Sequence, residues 1–232
     1  MINYLKKIAA KILKRGNEIK KPMASKSEYL NLHEDCKKQS YNDINNIEKE
    51  IGFAIDKNYF EKLALHTQVC IKKSKLNYQH GRILYSYLRK YIDDNFITSG
   101  QSVNILETGT ARGFSSICMS KAILDSGKRG NILTCDILPN NKKIYWNCID
   151  DLQGKKTRNE LLSPWGEELN LITFLQGETI KILPSIDKSR IHFAFLDAQH
   201  KYDEVKFEFD YVSKKQLKGD YIIFDDVTEN IF

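Results

Sequence analysis

From Gly100 onward the chain alternates short apolar runs with helical stretches, and nearly every run ends in an acid or a glycine. The runs are "VNILETG", "NILTCD", "LITFLQG", "IHFAFLD" and "DYIIFDD". "SSICMSKAILDSG" separates the first two, and a helix predicted from about Tyr202 to Leu217 separates the last two. Buried strands this short, alternating with helices, predict an α/β fold: a doubly wound, mainly parallel sheet covered on both faces. Ligands of such sheets bind beyond the carboxyl ends of the strands. Those ends carry Glu107, Asp136, Gly177, Asp197, Asp225 and Asp226, so the pattern gathers acids and glycines on one rim.

The rest of the chain is helical in pattern. Residues 1–21 hold seven basic residues and one acid, with Ile2, Leu5, Ile8, Ala9, Ile12 and Leu13 at three- and four-residue spacing. This basic amphipathic helix suits peripheral contact with an anionic membrane surface or a partner. Its plainer reading is packing on its own domain or across a dimer in a homo-oligomer. It lacks the unbroken apolar core of a secretory signal. Removing residues 1–21 from the totals of 36 basic and 30 acidic leaves 29 of each, so the body offers no nucleic-acid surface. Residues 22–99 read as a helical cap for substrate, and residues 100–232 as the ligand-binding domain. No apolar run approaches the roughly 18 residues that cross a bilayer. The five cysteines are scattered, without metal-ligand spacing, and read as reduced thiols of a cytoplasmic protein.

"ILETGTARGFSS" follows the first strand and spaces its glycines as GxxxG, Gly109 and Gly113. A dinucleotide loop is GxGxxG, and Ala111 occupies its second-glycine position, which argues against a nicotinamide dinucleotide. No Gly-Lys-Ser/Thr follows, so this is not a phosphate-cradling loop of that type. What remains is a tight turn at a helix start, with hydroxyls from Thr110, Ser115 and Ser116, suited to a carboxylate or small anion. Asp136 closes the second strand, where an acid accepts hydrogen bonds from both hydroxyls of a ribose. In this order the two features favour an adenosine-type ligand without a pyrophosphate.

"ILETGTARGFSS" resembles motif I of class I S-adenosylmethionine-dependent methyltransferases, in the E-x-G-x-x-x-G-[FY]-S form of the catechol-type O-methyltransferases. "LDAQHKYDEV" and "GDYIIFDDV" extend the resemblance to the small branch acting on sugars and natural products. The resemblance implies a Rossmann-like domain in which Gly109 and Gly113 shape the turn, Ser115 meets the cofactor carboxylate, and Thr110 belongs to the cofactor-binding set. It also implies that Glu107 orients the methionine end, Asp136 holds the ribose, and Gln176, Gly177 and Glu178 lie near the adenine.

Asp197, Asp225 and Asp226 end the fourth and fifth strands. Adjacent parallel strands lie about 4.8 Å apart, so their tips can converge on one cation. Oxygen ligands alone point to Mg²⁺, or another hard divalent cation, rather than zinc. The 28-residue separation of Asp197 and Asp225 is similar to the catechol-type metal pattern. His200 stands where those relatives carry a lysine base, so Asp197 and His200 are the candidate catalytic pair. The activity implied is Mg²⁺-assisted methylation of a hydroxyl on a sugar-like small molecule.

Two departures accompany the resemblance. Ala198 replaces the usual glycine, and the chain ends at "TENIF", where relatives continue into a helix and two further strands. The C-terminal strands of the usual seven-stranded sheet are thus expected to be absent. This leaves open a truncated or partner-completed cofactor-binding module without independent activity. Trp146, Arg158 and Trp165, in the insert after the second strand, are candidates to clamp a substrate, with core or rim packing the plainer role.

Overall fold

The computed structural model describes residues 19–96, 100–198 and 201–225. All but the last three residues of the expected basic helix over 1–21 lie outside them. Four helices precede the sheet: α1 (Lys26–Lys37), α2 (Asn42–Ile51), α3 (Lys57–Thr67) and α4 (His80–Asn95). Their boundaries have local causes. Ser25 and Glu28 form a reciprocal capping box that opens α1, Gly52 ends α2 with φ 84°, and Asp56 caps α3 through the Tyr59 N–H at 2.8 Å.

The second half of the chain comprises β1 (Ser102–Thr108), α5 (Phe114–Ser126), β2 (Arg129–Asp136), α6 (Arg158–Leu162), α7 (Gly166–Leu169) and β3 (Ile172–Gln176). It continues with α8 (Thr179–Ile182), β4 (Phe193–Leu196), α9 (Tyr202–Ser213) and β5 (Tyr221–Phe224). The described sheet has five strands in the order β3-β2-β1-β4-β5, and all four pairings are parallel. This is the expected Rossmann-like α/β sheet. The chain order reverses between β1 and β4, which opens a crevice at their carboxyl ends.

Helix α9 stops at Ser213 rather than near Leu217. The Lys215 N–H turns to the Val212 carbonyl at 2.8 Å and the Gln216 N–H to the Ser213 carbonyl at 3.4 Å, i→i−3 bonds that replace the helical ladder there.

Alternation along the strands builds two apolar layers. Val103, Ile105, Ile132, Phe193 and Phe195 pack with α4 and α5, whereas Leu106, Cys135, Ala194 and Leu196 pack toward α8 and α9. Helix α4 lies very close to α5. A Cβ on Gly81 would stand 2.6 Å from a ring carbon of Phe114, so only glycine admits the two helix starts side by side. At the other end of α4, the Tyr91 hydroxyl donates to Asp220 at 2.6 Å, and Arg190 Nη2 donates to the same oxygen at 2.8 Å. The start of α4 is thereby at the ligand rim and its end is at the opposite edge. Among the described residues, no helix is long and apolar enough to cross a membrane.

Candidate active site

Glu107 and Thr108 are the last residues of β1 and face opposite sides of the sheet. Glu107 is fully buried and accepts hydrogen bonds from the hydroxyls of Ser115, Ser116 and Thr134. Burial raises its pKa, and the three hydroxyls oppose that rise without cancelling it. Thr108 donates to Glu208 of α9 at 2.7 Å, and Thr179 donates to the second oxygen of the same carboxylate at 2.7 Å. Burial likewise raises the pKa of Glu208. The tip of β1 is therefore held by one buried acid on each side.

The loop that follows is shaped by glycines. Gly109 has φ 88° and Gly113 has φ 86°. A Cβ on Gly109 would lie 2.1 Å from the Asp197 carbonyl oxygen, and one on Gly113 would lie 2.6 Å from a Leu162 methyl. The Asp197 N–H donates to the Thr108 carbonyl at 3.0 Å, so β1 and β4 remain joined up to the crevice. Ala111 is one of two non-glycine residues with positive φ among those described, at 45°. Its N–H donates to Asp136 Oδ2 at 2.6 Å, and its carbonyl accepts from Arg158 Nε at 3.0 Å.

The loop hydroxyls are turned inward. Thr110 pairs with Thr134 at 2.5 Å, and Ser115 and Ser116 serve Glu107. The cause is the interior position of Glu107, whose carboxylate needs donors once water is excluded. What faces the crevice is backbone.

Asp136 ends β2. Its second oxygen accepts from the Leu138 N–H at 2.7 Å. A carboxylate offers about four lone-pair positions, so acceptor capacity remains beside both bonds. A cavity of about 360 Å³ opens here, lined by Gly109, Asp136, Gly177, Glu178, Ala198 and Phe207 among others. Ile137 and Ile180 also line it, and they are 61% and 56% exposed. Side chains so apolar, left in solvent at a cavity mouth, offer flat contact to a ring. Asp203 and Glu204 complete an acidic wall.

The structure thus brings Gly109, Asp136, Gly177 and Glu178 around one cavity. Glu107, Thr110 and Ser115 stand behind it, and Gly113 starts α5. Leu196 pairs with Phe224 across β4 and β5, and the Asp225 N–H donates to the Leu196 carbonyl at 3.2 Å. Asp197 and Asp225 therefore follow paired residues on neighbouring strand tips. His200 and Asp226 lie outside the described residues. Among those described, no three His, Cys, Asp or Glu side chains form a metal-binding group.

The sequence pattern alone gives His80 no role. Its ring stacks on Phe195 of β4 at 6.1 Å and meets Phe114 edge-on at 5.2 Å. The available signal is Gly81, the small residue that lets the start of α4 approach α5. Trp146, Arg158 and Trp165 are buried at 4%, 0% and 3% exposure, which places them in the packing rather than on a substrate surface.

No curated protein matches the sequence. Among solved structures, cofactor-bound Rv0187 from MTB aligns at 17% identity and a TM-score of 0.46, over 64% of this chain and 56% of its own. The O-methyltransferase NovP aligns at 16% identity and 0.48, over 66% of each chain. Apo CalS11, a TDP-rhamnose 3'-O-methyltransferase of calicheamicin biosynthesis, aligns at 14% and 0.44, over 79% of this chain and 76% of its own. The chain thus spans just over half the length of Rv0187 and slightly under two thirds of NovP. The family model described as a methyltransferase domain matches residues 106–227, more than half of the chain. That span begins inside β1 and takes in the glycine loop, Asp136 and the tips of β3, β4 and β5, and by it the chain belongs to the methyltransferase-domain family.

Proposed function

We propose that this protein is an S-adenosylmethionine-dependent O-methyltransferase acting on a hydroxyl of a sugar or glycosylated small molecule, with a divalent cation such as Mg²⁺ at the acceptor. The observation that carries the donor half is the cavity at the tips of β1 to β4. Asp136 stands in it with acceptor capacity for ribose hydroxyls, and Ile137 and Ile180 offer apolar faces to a purine. The carboxylates of Asp136, Glu178, Asp203 and Glu204 favour a ligand with positive charge, as a sulfonium with an ammonium group has. The sugar acceptor rests on the resemblance of "LDAQHKYDEV" and "GDYIIFDDV".

The reaction is a direct displacement. The acceptor oxygen forms a bond to the methyl carbon, the carbon–sulfur bond breaks, and its electron pair stays on sulfur as a thioether. The hydroxyl proton leaves to a base, for which His200 is the candidate from sequence. The protein's main task is alignment of oxygen, carbon and sulfur. The backbone at Gly109 and the carboxylate of Asp136 hold the donor, and the seam from Thr108 to Asp197 fixes β4 beside it. Asp197 and Asp225 follow paired residues on adjacent tips, and together with Asp226, which joins them by resemblance, they would offer the all-oxygen ligands that suit a hard cation. A bound divalent cation supplies acidification and orientation of the acceptor hydroxyl.

Calorimetric titration with S-adenosylmethionine, in chelator and then in Mg²⁺, tests the reading. Micromolar binding in both conditions is expected, because the cation serves the acceptor. No binding by a folded sample overturns the reading. Donor binding without turnover across sugar acceptors favours a cofactor-binding module instead.

A further inference from the structure

Arg158 is the first residue of α6 and is fully buried, yet it forms no ion pair within hydrogen-bond distance among the described residues. Its guanidinium lies over the rings of Trp146 and Phe174, with 5.5 and 5.3 Å to their centres. Burial works against its charge, and the nearby carboxylates of Asp136 and Glu107 favour it. A buried charge so placed is costly to keep, so its bonds identify what it serves.

Those bonds connect three strand tips. Nε donates to the Ala111 carbonyl at 3.0 Å, Nη1 donates to Asn140 Oδ1, and Nη2 has no partner among the described residues. Asn140 in turn donates its side-chain amide to the Phe174 carbonyl at 3.2 Å. Its backbone N–H donates to Gln176 Oε1 at 3.3 Å. Ala111 belongs to the loop after β1, Asn140 to the segment after β2, and Phe174 and Gln176 to β3. On the cavity side, the Ala111 N–H is held by Asp136. The residue with φ 45° is therefore gripped from the front by an acid and from behind by a base.

We propose that Arg158 is a positioning residue for the methyl donor, setting with Asn140 the spacing between the Gly109–Gly113 loop and the rim formed by Asp136 and Gly177. This rests on the donor reading given above. A ligand reaching from the loop to the rim touches both sides of the tie. A ligand held only at the rim does not depend on it. Pre-set spacing strengthens the first kind of binding by sparing the ordering of the loop.

The test compares S-adenosylhomocysteine, which spans both halves, with 5'-methylthioadenosine, which lacks the amino-acid end. Affinities are measured by calorimetry for the wild-type chain, Arg158→Met and Asn140→Ala, with thermal melts to establish folding. Arg158→Met is expected to weaken S-adenosylhomocysteine about tenfold or more and methylthioadenosine less than about threefold. Asn140→Ala is expected to change the ratio in the same direction, and it carries the test alone if Arg158→Met does not fold. Equal weakening of both ligands, or of neither, in a folded variant overturns the positioning role and leaves the donor reading intact. Failure of the wild-type chain to bind either ligand overturns the donor reading and, with it, this inference.

Discussion

The carbonyl oxygen of Asp197 stands 2.1 Å from the point where a Cβ on Gly109 would begin. The two central strands thus close on each other at the head of the crevice, and a hydrogen atom is all that fits between them.

Gly109→Ala is therefore expected to lose donor binding and to destabilise the fold. The left-handed backbone alone costs about 1–3 kcal/mol for a non-glycine residue, and the clash with Asp197 adds to it. Gly52 is the matched comparison, with φ 84° and nothing within 4 Å of the place a Cβ would take. Gly52→Ala should lose less stability in chemical denaturation and retain wild-type donor affinity. Equal losses in the two variants would count against a close approach at Gly109.

Glu107 makes stability depend on pH in a stated direction. Its folded pKa lies above the ordinary 4.5 because of burial, so the native state holds the proton more tightly than the unfolded state. Its contribution is fully present below about 4.5 and is lost as pH rises through the folded value. Glu107→Gln removes the ionisation while keeping a polar group among the three hydroxyls. The melting temperature of the variant should fall less than that of the wild type between about pH 4.5 and pH 7, as scanned by calorimetry. A parallel pair of curves would mean that Glu107 does not titrate there.

Asp225→Ala separates the two halves of the proposed reaction. Turnover should fall about a hundredfold or more, as expected for a lost contribution of several kcal/mol to the barrier. Donor affinity should stay within about threefold, because Asp225 does not line the donor cavity. Steady-state rates and calorimetry on the same folded sample decide between this and a general loss.

The thiols should report the layering of the fold. All five cysteines are free and buried. Burial pushes Cys135 and Cys148 up to about 12 and raises Cys118 well above its ordinary value. Cys36 and Cys70 line an open hollow of about 590 Å³ beside α1. Alkylation at about pH 8 followed by mass mapping should label Cys36 and Cys70 first and the other three only on unfolding.

The sheet was legible because each strand is a short apolar run with an acid or glycine at its tip, and both signals are local. Asp136 and Gly177 could be placed at the cavity for the same reason. The hydroxyls of Thr110, Ser115 and Ser116 could not. Their orientation is dictated by Glu107 and Thr134, and that demand appears only when β1, β2 and α5 are packed together. His80, and for Arg158 the loop it bonds rather than its packed position, were illegible in another way. One stacks on a strand 115 positions later in the sequence, and the other grips a loop 47 positions earlier. The end of α9 lies where i→i−3 bonds replace the ladder after Val212, which no apolar periodicity announces.

Arg112, inside the glycine loop, donates to the carbonyls of Trp146 and Thr67. It thereby joins the loop to the insert and to the end of α3, and both partners are main-chain oxygens. Such a joint is blind to side-chain identity: whatever residues come to stand at those two positions, the acceptors are still there. Substitution at either position leaves the attachment of the loop unchanged. What this seam requires is the path of the backbone, together with a single arginine.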